Sequence, residues 1–125
     1  MIRFWWVLSV LLLVSCGPIT LEDYREEGRI VTKLLIKELR KIKTRKQLSA
    51  STVKLQKLFD RLVDVILEAQ ELRASTGQEL IELARVDHEL SDALRSELNR
   101  LYGLDGGRAL IEKAQEKPFS RLTKK

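Results

Sequence analysis

The spacing of apolar residues is the feature that most restricts how this chain folds. From residue 21 onward, apolar side chains recur every three or four positions, and no segment alternates apolar and polar residues as a half-buried strand does. The 125 residues include only two prolines and six glycines, which leaves little material for long loops. The sequence therefore predicts one small, all-helical domain.

The first helix is expected to begin just after Pro18. Thr20 and Asp23 have the spacing of a capping box, in which each side chain accepts a hydrogen bond from the backbone N–H of the other residue. The apolar periodicity continues to about Lys46. A cluster of small polar residues at 49–52 then supplies a break and an N-cap.

Three further helices follow this break. The second is expected at 53–73, and its wide apolar arc indicates a helix that contacts two neighbours. Capping-box spacing at 76–79 predicts the start of the third helix, and Gly103 is suited to end it in the left-handed conformation. A short fourth helix is expected at about 105–116, because Pro118 disfavours its continuation.

The connections between these helices are short, which favours antiparallel neighbours. We therefore expect three long antiparallel helices in an up-down-up bundle plus a short C-terminal helix. The bundle would occupy residues 21–117, followed by a basic tail at 118–125. The alternative is a coiled-coil hairpin that completes its core by forming a homo-oligomer, because the apolar stripes are rich in leucine.

Residues 1–15 differ in character from the rest of the chain. Arg3 is their only charged residue, and 4–14 is an apolar run interrupted only by Ser9. A run of about eleven residues is too short for a spanning helix, which needs about 20. The pattern is typical of a cleaved signal peptide rather than of a permanent anchor.

The end of this run carries a specific motif. The four residues Leu13-Val14-Ser15-Cys16 resemble the lipobox of bacterial lipoproteins at every position. The resemblance implies that signal peptidase II cleaves between Ser15 and Cys16, and that the Cys16 thiol and often its new amino group carry fatty acyl chains such as palmitate. Residues 16–20 would then form a lipidated N-terminus and a short tether. The alternative is a lone cysteine at the end of an ordinary secretory signal.

The resemblance also implies a location and a first partner. A lipoprotein of this kind is anchored to a membrane of the bacterial cell envelope, and faces the periplasm from the outer membrane if the cell has one. Two or three acyl chains anchor firmly where one holds only marginally. Cys16 is the only cysteine, so the chain forms no intramolecular disulfide.

Charge is distributed unevenly along the chain, whose net charge is +5. Residues 25–46 hold nine Lys or Arg and three Glu, whereas 68–92 hold seven acidic residues and two Arg. We expect one side of the first helix to contact anionic lipid or an acidic protein partner, or else to be a solvated surface. The expected contact residues are Arg29, Lys33, Lys37, Arg40 and Lys41. Nucleic acid is not expected, because no aromatic residues are interleaved with the cations.

Two titratable residues of the third helix require an explanation. Asp87 falls near the centre of the apolar stripe, where a carboxylate is costly unless it is paired. We expect it either to lie in a partly wet seam or to pair with Lys or Arg of a neighbouring helix, the alternative being a site for a cationic partner group. His88 has no second histidine to complete a metal site, so we expect a surface or boundary histidine and neither a metal nor another cofactor.

The residues contain no motif that indicates catalysis. No Ser-His-Asp set, phosphate-binding glycine loop, HExxH or CxxC motif occurs, so an enzyme is not expected. The sequence favours a membrane-tethered envelope lipoprotein with an interaction or scaffold role. The alternative is a helical lipoprotein that binds a small molecule or a lipid, which a cavity lined by Leu and Val would support.

Overall fold

The structure is a computed structural model that describes residues 20–77 and 85–123. All regular secondary structure in these residues is helical, which confirms the all-helical class. The four helices in the described residues are α1 (Leu21–Lys41), α2 (Arg45–Thr76), α3 (Arg85–Tyr102) and α4 (Gly107–Thr123).

The start of α1 agrees with the sequence-based prediction. Thr20 is the N-cap residue, and its hydroxyl oxygen accepts a hydrogen bond from the Asp23 backbone N–H at 3.1 Å. The Asp23 carboxylate in turn accepts from the Thr20 backbone N–H at 3.1 Å. Both halves of the capping box are therefore present, and the N-cap Thr20 lies four positions after Cys16 in the sequence.

The break between α1 and α2 lies earlier than expected. The prediction that α1 extends to about Lys46 is wrong, since α1 ends at Lys41 and α2 begins at Arg45. Residues 49–52, the expected break, lie inside α2. The long α2 therefore begins eight residues before its predicted start at position 53.

A second capping box explains this difference. Thr44 is the N-cap of α2, and its hydroxyl oxygen accepts from the Gln47 backbone N–H at 3.2 Å. The Gln47 side-chain oxygen accepts from the backbone N–H of Thr44 at 3.2 Å and from that of Lys43 at 2.7 Å. At the expected break, the Thr52 hydroxyl bonds back to the Leu48 carbonyl at 3.2 Å, which lets a threonine remain within the helix.

The fourth helix is longer than expected, because it continues through Pro118 to Thr123. The Pro118 ring is fully buried, and the next residue, Phe119, packs edge-to-face against Phe59 of α2 with ring centroids 5.5 Å apart. This tertiary packing offsets the backbone hydrogen bond that proline removes. Residues 118–123, expected to form a tail, are therefore part of a helix that packs on α2.

In the described residues, each helix has two neighbours. Helix α1 packs against α2 and α3, and α4 packs against the same two helices. The wide apolar arc of α2 correctly indicated two neighbours, α1 and α4. The buried apolar core joins all four helices and contains Leu35, Leu39, Ile42, Leu48, Leu55, Phe59, Leu101, Ile111 and Ala114.

The position of α4 along α2 determines where this core ends. Gly106, just before α4, lies beside Arg45 at the start of α2. Near the other end of α4, Arg121 pairs with Asp60 at 3.1 Å and with Asp64. Helix α4 therefore covers the first part of α2. Among the described helices, α1 and α4 are the two that pack on α2, and Val65, just beyond Asp64, lies beside Gly28 of α1.

Arg100 fixes the end of α1 to α3. Its guanidinium donates to the carbonyl oxygens of Leu39 and Ile42, both at 2.8 Å, and so satisfies acceptors that the helix end leaves unpaired. The guanidinium also donates to the Glu97 carboxylate at 2.9 Å. A positive charge at this position also interacts favourably with the C-terminal end of the helix dipole.

Candidate functional site

Four of the five cations predicted as contact residues lie exposed on one side of α1. We call Lys33, Lys37, Arg40 and Lys41 the basic face. Arg40 meets Glu97 of α3 at 3.4 Å, and Lys41 meets Glu38 at 3.6 Å, but both basic side chains stay about 60% exposed. Their cationic groups are therefore accessible to an anionic surface.

Arg29, the fifth predicted contact residue, has a different environment. Its side chain is 17% exposed, and its guanidinium donates to both oxygens of Asp87, at 2.7 and 3.2 Å. Arg25, one turn earlier, also donates to Asp87, at 2.9 and 3.0 Å. The hydrogen bond to Asp87 raises the pKa of Arg29 above its ordinary value. Arg29 therefore belongs to the contact between α1 and α3 rather than to the basic face.

The Asp87 pair agrees with the expected role of this carboxylate. Its side chain is 11% exposed, and the partners are arginines of a neighbouring helix. Both carboxylate oxygens accept hydrogen bonds, so the desolvation cost of the charge is offset. The arrangement fixes α3 at one position along the first turns of α1.

Two apolar residues lie within the basic face. Ile30 is 44% exposed and Leu34 is 38% exposed. At 100° per residue both fall on the side of α1 that carries Lys37 and Lys41. The prediction considered only the cations of this side and did not include the two apolar residues, although the same helical periodicity would have identified them.

The basic face also borders a shallow depression between α1 and α3. Its volume is about 400 Å³, and its apolar lining consists of Ile36, Leu90 and Ala93. All four cations of the basic face line it as well. The surface therefore combines positive charge with small apolar areas, an arrangement that suits amphipathic or anionic contacts more than a purely solvated surface.

A second concave surface lies where α4 no longer covers α2. It is an open, mainly apolar groove of about 510 Å³ between α1, the second half of α2 and the start of α3. We call it the open groove. Among the described residues, its apolar lining is Leu21, Tyr24, Gly28, Leu62, Val65, Ile66, Ala69 and Leu90.

The cations that line the open groove are three arginines. Arg25 and Arg29 lie on the α1 side, and each is paired with Asp87. Arg73 of α2 lies at the opposite end of the α2 lining from Leu62, and its side chain is exposed. Within residues 20–77 and 85–123, Arg73 has no ion-pair partner. An anionic group could therefore bind Arg73 without displacing a carboxylate described here.

The remaining candidate residues are His88, Ser15 and Cys16. His88 is exposed, as expected for a surface histidine. In the described parts of the chain, no group of three or more His, Cys, Asp or Glu side chains is placed to hold a metal ion. Ser15 and Cys16 lie outside the described residues. None of the described helices is both long enough and apolar enough to cross a membrane.

Comparison with known proteins adds no relative. No protein-family model, no curated protein and no solved structure matches the chain.

Proposed function

We propose that this chain is a lipid-anchored protein of a bacterial cell envelope, and that the exposed side of α1 lies on the anionic surface of the membrane to which Cys16 is tethered. Its role there is interaction or scaffolding rather than catalysis. The observation that carries the proposal is the basic face, with four exposed cations and with Ile30 and Leu34 exposed among them. These groups lie on the first helix after the lipobox.

The length of the tether supports this orientation. Only Gly17, Pro18 and Ile19 separate Cys16 from the N-cap Thr20. Four residue steps of extended chain span at most about 14 Å, so α1 starts close to the head groups. Each Lys or Arg near an anionic surface contributes about 1 kcal/mol, and the short tether makes the contact effectively intramolecular.

Ile30 and Leu34 add a second favourable contribution. Helices that lie in a membrane interface combine basic residues with apolar side chains that enter the boundary of head groups and acyl chains. On α1 both kinds of side chain share one exposed side, and the opposite side is buried against α2 and α3. The helix therefore remains part of the folded domain while its outer side contacts lipid.

We also propose that helices consecutive in the chain alternate in direction, which extends the expected up-down-up arrangement to a fourth helix. The contact of Arg25 with Asp87 joins the beginnings of α1 and α3, and that of Arg40 with Glu97 joins their later parts. Arg45 near Asp105 and Arg121 near Asp60 relate α2 and α4 in the same way. These contacts support α1 parallel to α3, and α2 parallel to α4.

The test is flotation of residues 17–125 with vesicles, after circular dichroism has verified the helical fold. Changing all four cations of the basic face to Glu should weaken binding to vesicles rich in phosphatidylglycerol at least about tenfold. Added salt should mimic this loss, because exposed charges are screened. Vesicles of phosphatidylcholine alone should bind weakly in every case.

A matched control distinguishes the effect of the basic face on binding from the effect of the total charge. The control variant changes four exposed lysines outside the basic face to Glu, and these are Lys46, Lys57, Lys113 and Lys117. It changes the total charge by the same amount, but it should weaken vesicle binding much less. Equal losses in the two variants would contradict the proposed orientation. If the domain did not bind anionic vesicles but bound an acidic protein through the basic face, the proposed membrane contact would also be rejected.

A further inference from the structure

The open groove forms because two helices differ in length and position. Helix α2 has 32 residues, and α4, with 17 residues, lies along its first part. From Leu62 to Arg73, the α2 lining of the groove extends for about 16 Å at the rise of an α-helix. The result is an elongated apolar surface rather than a compact cavity.

The lining of the groove has the composition of a ligand site. Its volume of about 510 Å³ lies within the range of about 300–1,000 Å³ that is usual for pockets binding small molecules. Apolar side chains such as Leu62, Val65 and Ile66 dominate the walls. The Thr32 hydroxyl lines the groove and donates a hydrogen bond to the Gly28 carbonyl oxygen at 2.8 Å. Because this donor is already satisfied, it does not require a hydrogen-bond acceptor on the ligand.

The charges of the groove restrict the ligand further. Arg25 and Arg29 share the Asp87 carboxylate, and each also pairs with a glutamate one turn earlier on α1, so together these carboxylates balance the two positive charges. Arg73 is the groove cation for which the described residues supply no carboxylate. The groove therefore presents a long apolar surface that ends at one positive charge, which is complementary to an apolar chain carrying one anionic group.

We propose that the open groove binds the acyl chain of a long-chain fatty acid, with its carboxylate at Arg73. The chain would lie along α2 between Leu62 and Ala69, and the apolar walls would be removed from water. A carboxylate can accept two hydrogen bonds from one guanidinium, which favours a fatty acid over an uncharged lipid. This site is separate from the basic face and does not require Cys16 to be lipidated.

The test uses the full chain as isolated from membranes and held in an amphipathic polymer. A fatty acid with a photoreactive group on its tail serves as the probe, and mass spectrometry locates the cross-links. We expect cross-links within residues 62–69, and we expect unlabelled hexadecanoic acid to compete for them. Hexadecanol, which has the same chain and no charge, should compete about tenfold less well.

Two variants with different effects make the test specific. Ala69→Phe should fill the groove and reduce cross-linking at least tenfold, whereas Ala50→Phe, an exposed position on the same helix, should leave it unchanged. Arg73→Gln should weaken competition by the acid about tenfold and leave competition by the alcohol unchanged. Because Arg73 is exposed, this variant should fold even if Ala69→Phe does not.

Several results would overturn the proposal. If hexadecanoic acid and hexadecanol competed equally in the unmodified chain, Arg73 would not bind the carboxylate. Cross-linking that appears only after Cys16→Ser would show that the chain's own acyl group fills the groove. Absence of cross-links in 62–69 would reject the site, and none of these outcomes bears on whether the basic face binds vesicles.

Discussion

Asp87 illustrates how a single residue carries information that a pattern of apolar residues does not. Its place in the apolar stripe of α3 predicted a paired carboxylate, and the pairs with Arg25 and Arg29 confirm this. The sequence did not identify which cations take part. Helical spacing placed Arg29 on the exposed side, and only the position of α3 against α1 determines that it is turned inward.

The Asp87 pairs lead to a first prediction. Asp87→Asn should lower the free energy of unfolding by about 2 kcal/mol, because two largely buried guanidinium groups lose their carboxylate. Asp92→Asn on the same helix should change it by less than about 0.5 kcal/mol, since the Asp92 side chain is 74% exposed. Urea unfolding followed by circular dichroism measures both. Similar values for the two variants would mean that Asp87 is not a structural carboxylate.

Glu97 gives a prediction about pH. Its hydrogen bond from Arg100 is the main reason that the pKa of Glu97 lies below its ordinary value of 4.5, with burial acting in the opposite direction. A carboxylate with a lowered pKa in the folded state stabilises the fold fully above the unfolded-state pKa. This contribution is lost as the pH falls through the folded-state pKa.

The stability advantage of the unmodified chain over Glu97→Gln should therefore be largest near pH 7 and shrink below about pH 4.5. Denaturant unfolding at several pH values measures it. For Glu89→Gln the difference should be small at every pH, because the Glu89 side chain is 63% exposed and its partner Arg85 is 93% exposed. A difference for Glu97→Gln that does not vary with pH would contradict the assigned hydrogen bond.

At the scale of whole helices, local signals predicted where helices exist better than where they end. The spacing of Thr20 and Asp23 predicts the first capping box, but the equivalent Thr44–Gln47 pair is not part of the prediction, because the mostly polar cluster at 49–52 is the longer break in the one-dimensional pattern. The length of α4 depends on Phe119 packing against Phe59, a contact between residues 60 positions apart. Information of that kind does not exist within the local sequence.

The start of α2 gives a prediction at this scale. Thr44→Ala should lower the free energy of unfolding by about 1 kcal/mol, because it leaves N-terminal N–H groups of the helix without a side-chain acceptor. Ser49→Ala should be neutral or slightly stabilising, since alanine favours a helix interior and the Ser49 side chain is exposed. Thermal or urea unfolding compares the two. If Ser49→Ala were the more destabilising of the two variants, this would indicate that α2 begins at 49–52 and not at Thr44.

The molecule as a whole has two ends with different properties. One end contains the packed core shared by four helices, and the other contains the open groove and the first residues of α1. The composition and periodicity predicted an all-helical domain, but neither reveals that α4 lies along only part of α2. The open groove follows from that difference, and therefore could not be located from the sequence. The basic face could be, because it depends on α1 alone.

The proposed tether at Cys16 would place the start of α1 nearest the membrane, and a substitution of Cys16 tests this. We expect the unmodified chain to incorporate labelled palmitate, to lose residues 1–15 and to enter the detergent phase on phase separation. Cys16→Ser should abolish the labelling and leave the uncleaved precursor, because the lipobox requires the thiol for both steps. Ser15→Ala keeps a small residue before the cleavage site and should be processed normally.

If Cys16→Ser were still cleaved and attached to the membrane as before, the chain would not be a lipoprotein. The basic face would then have to reach an anionic surface without an anchor, and its four cations, at about 1 kcal/mol each, would be the main source of binding.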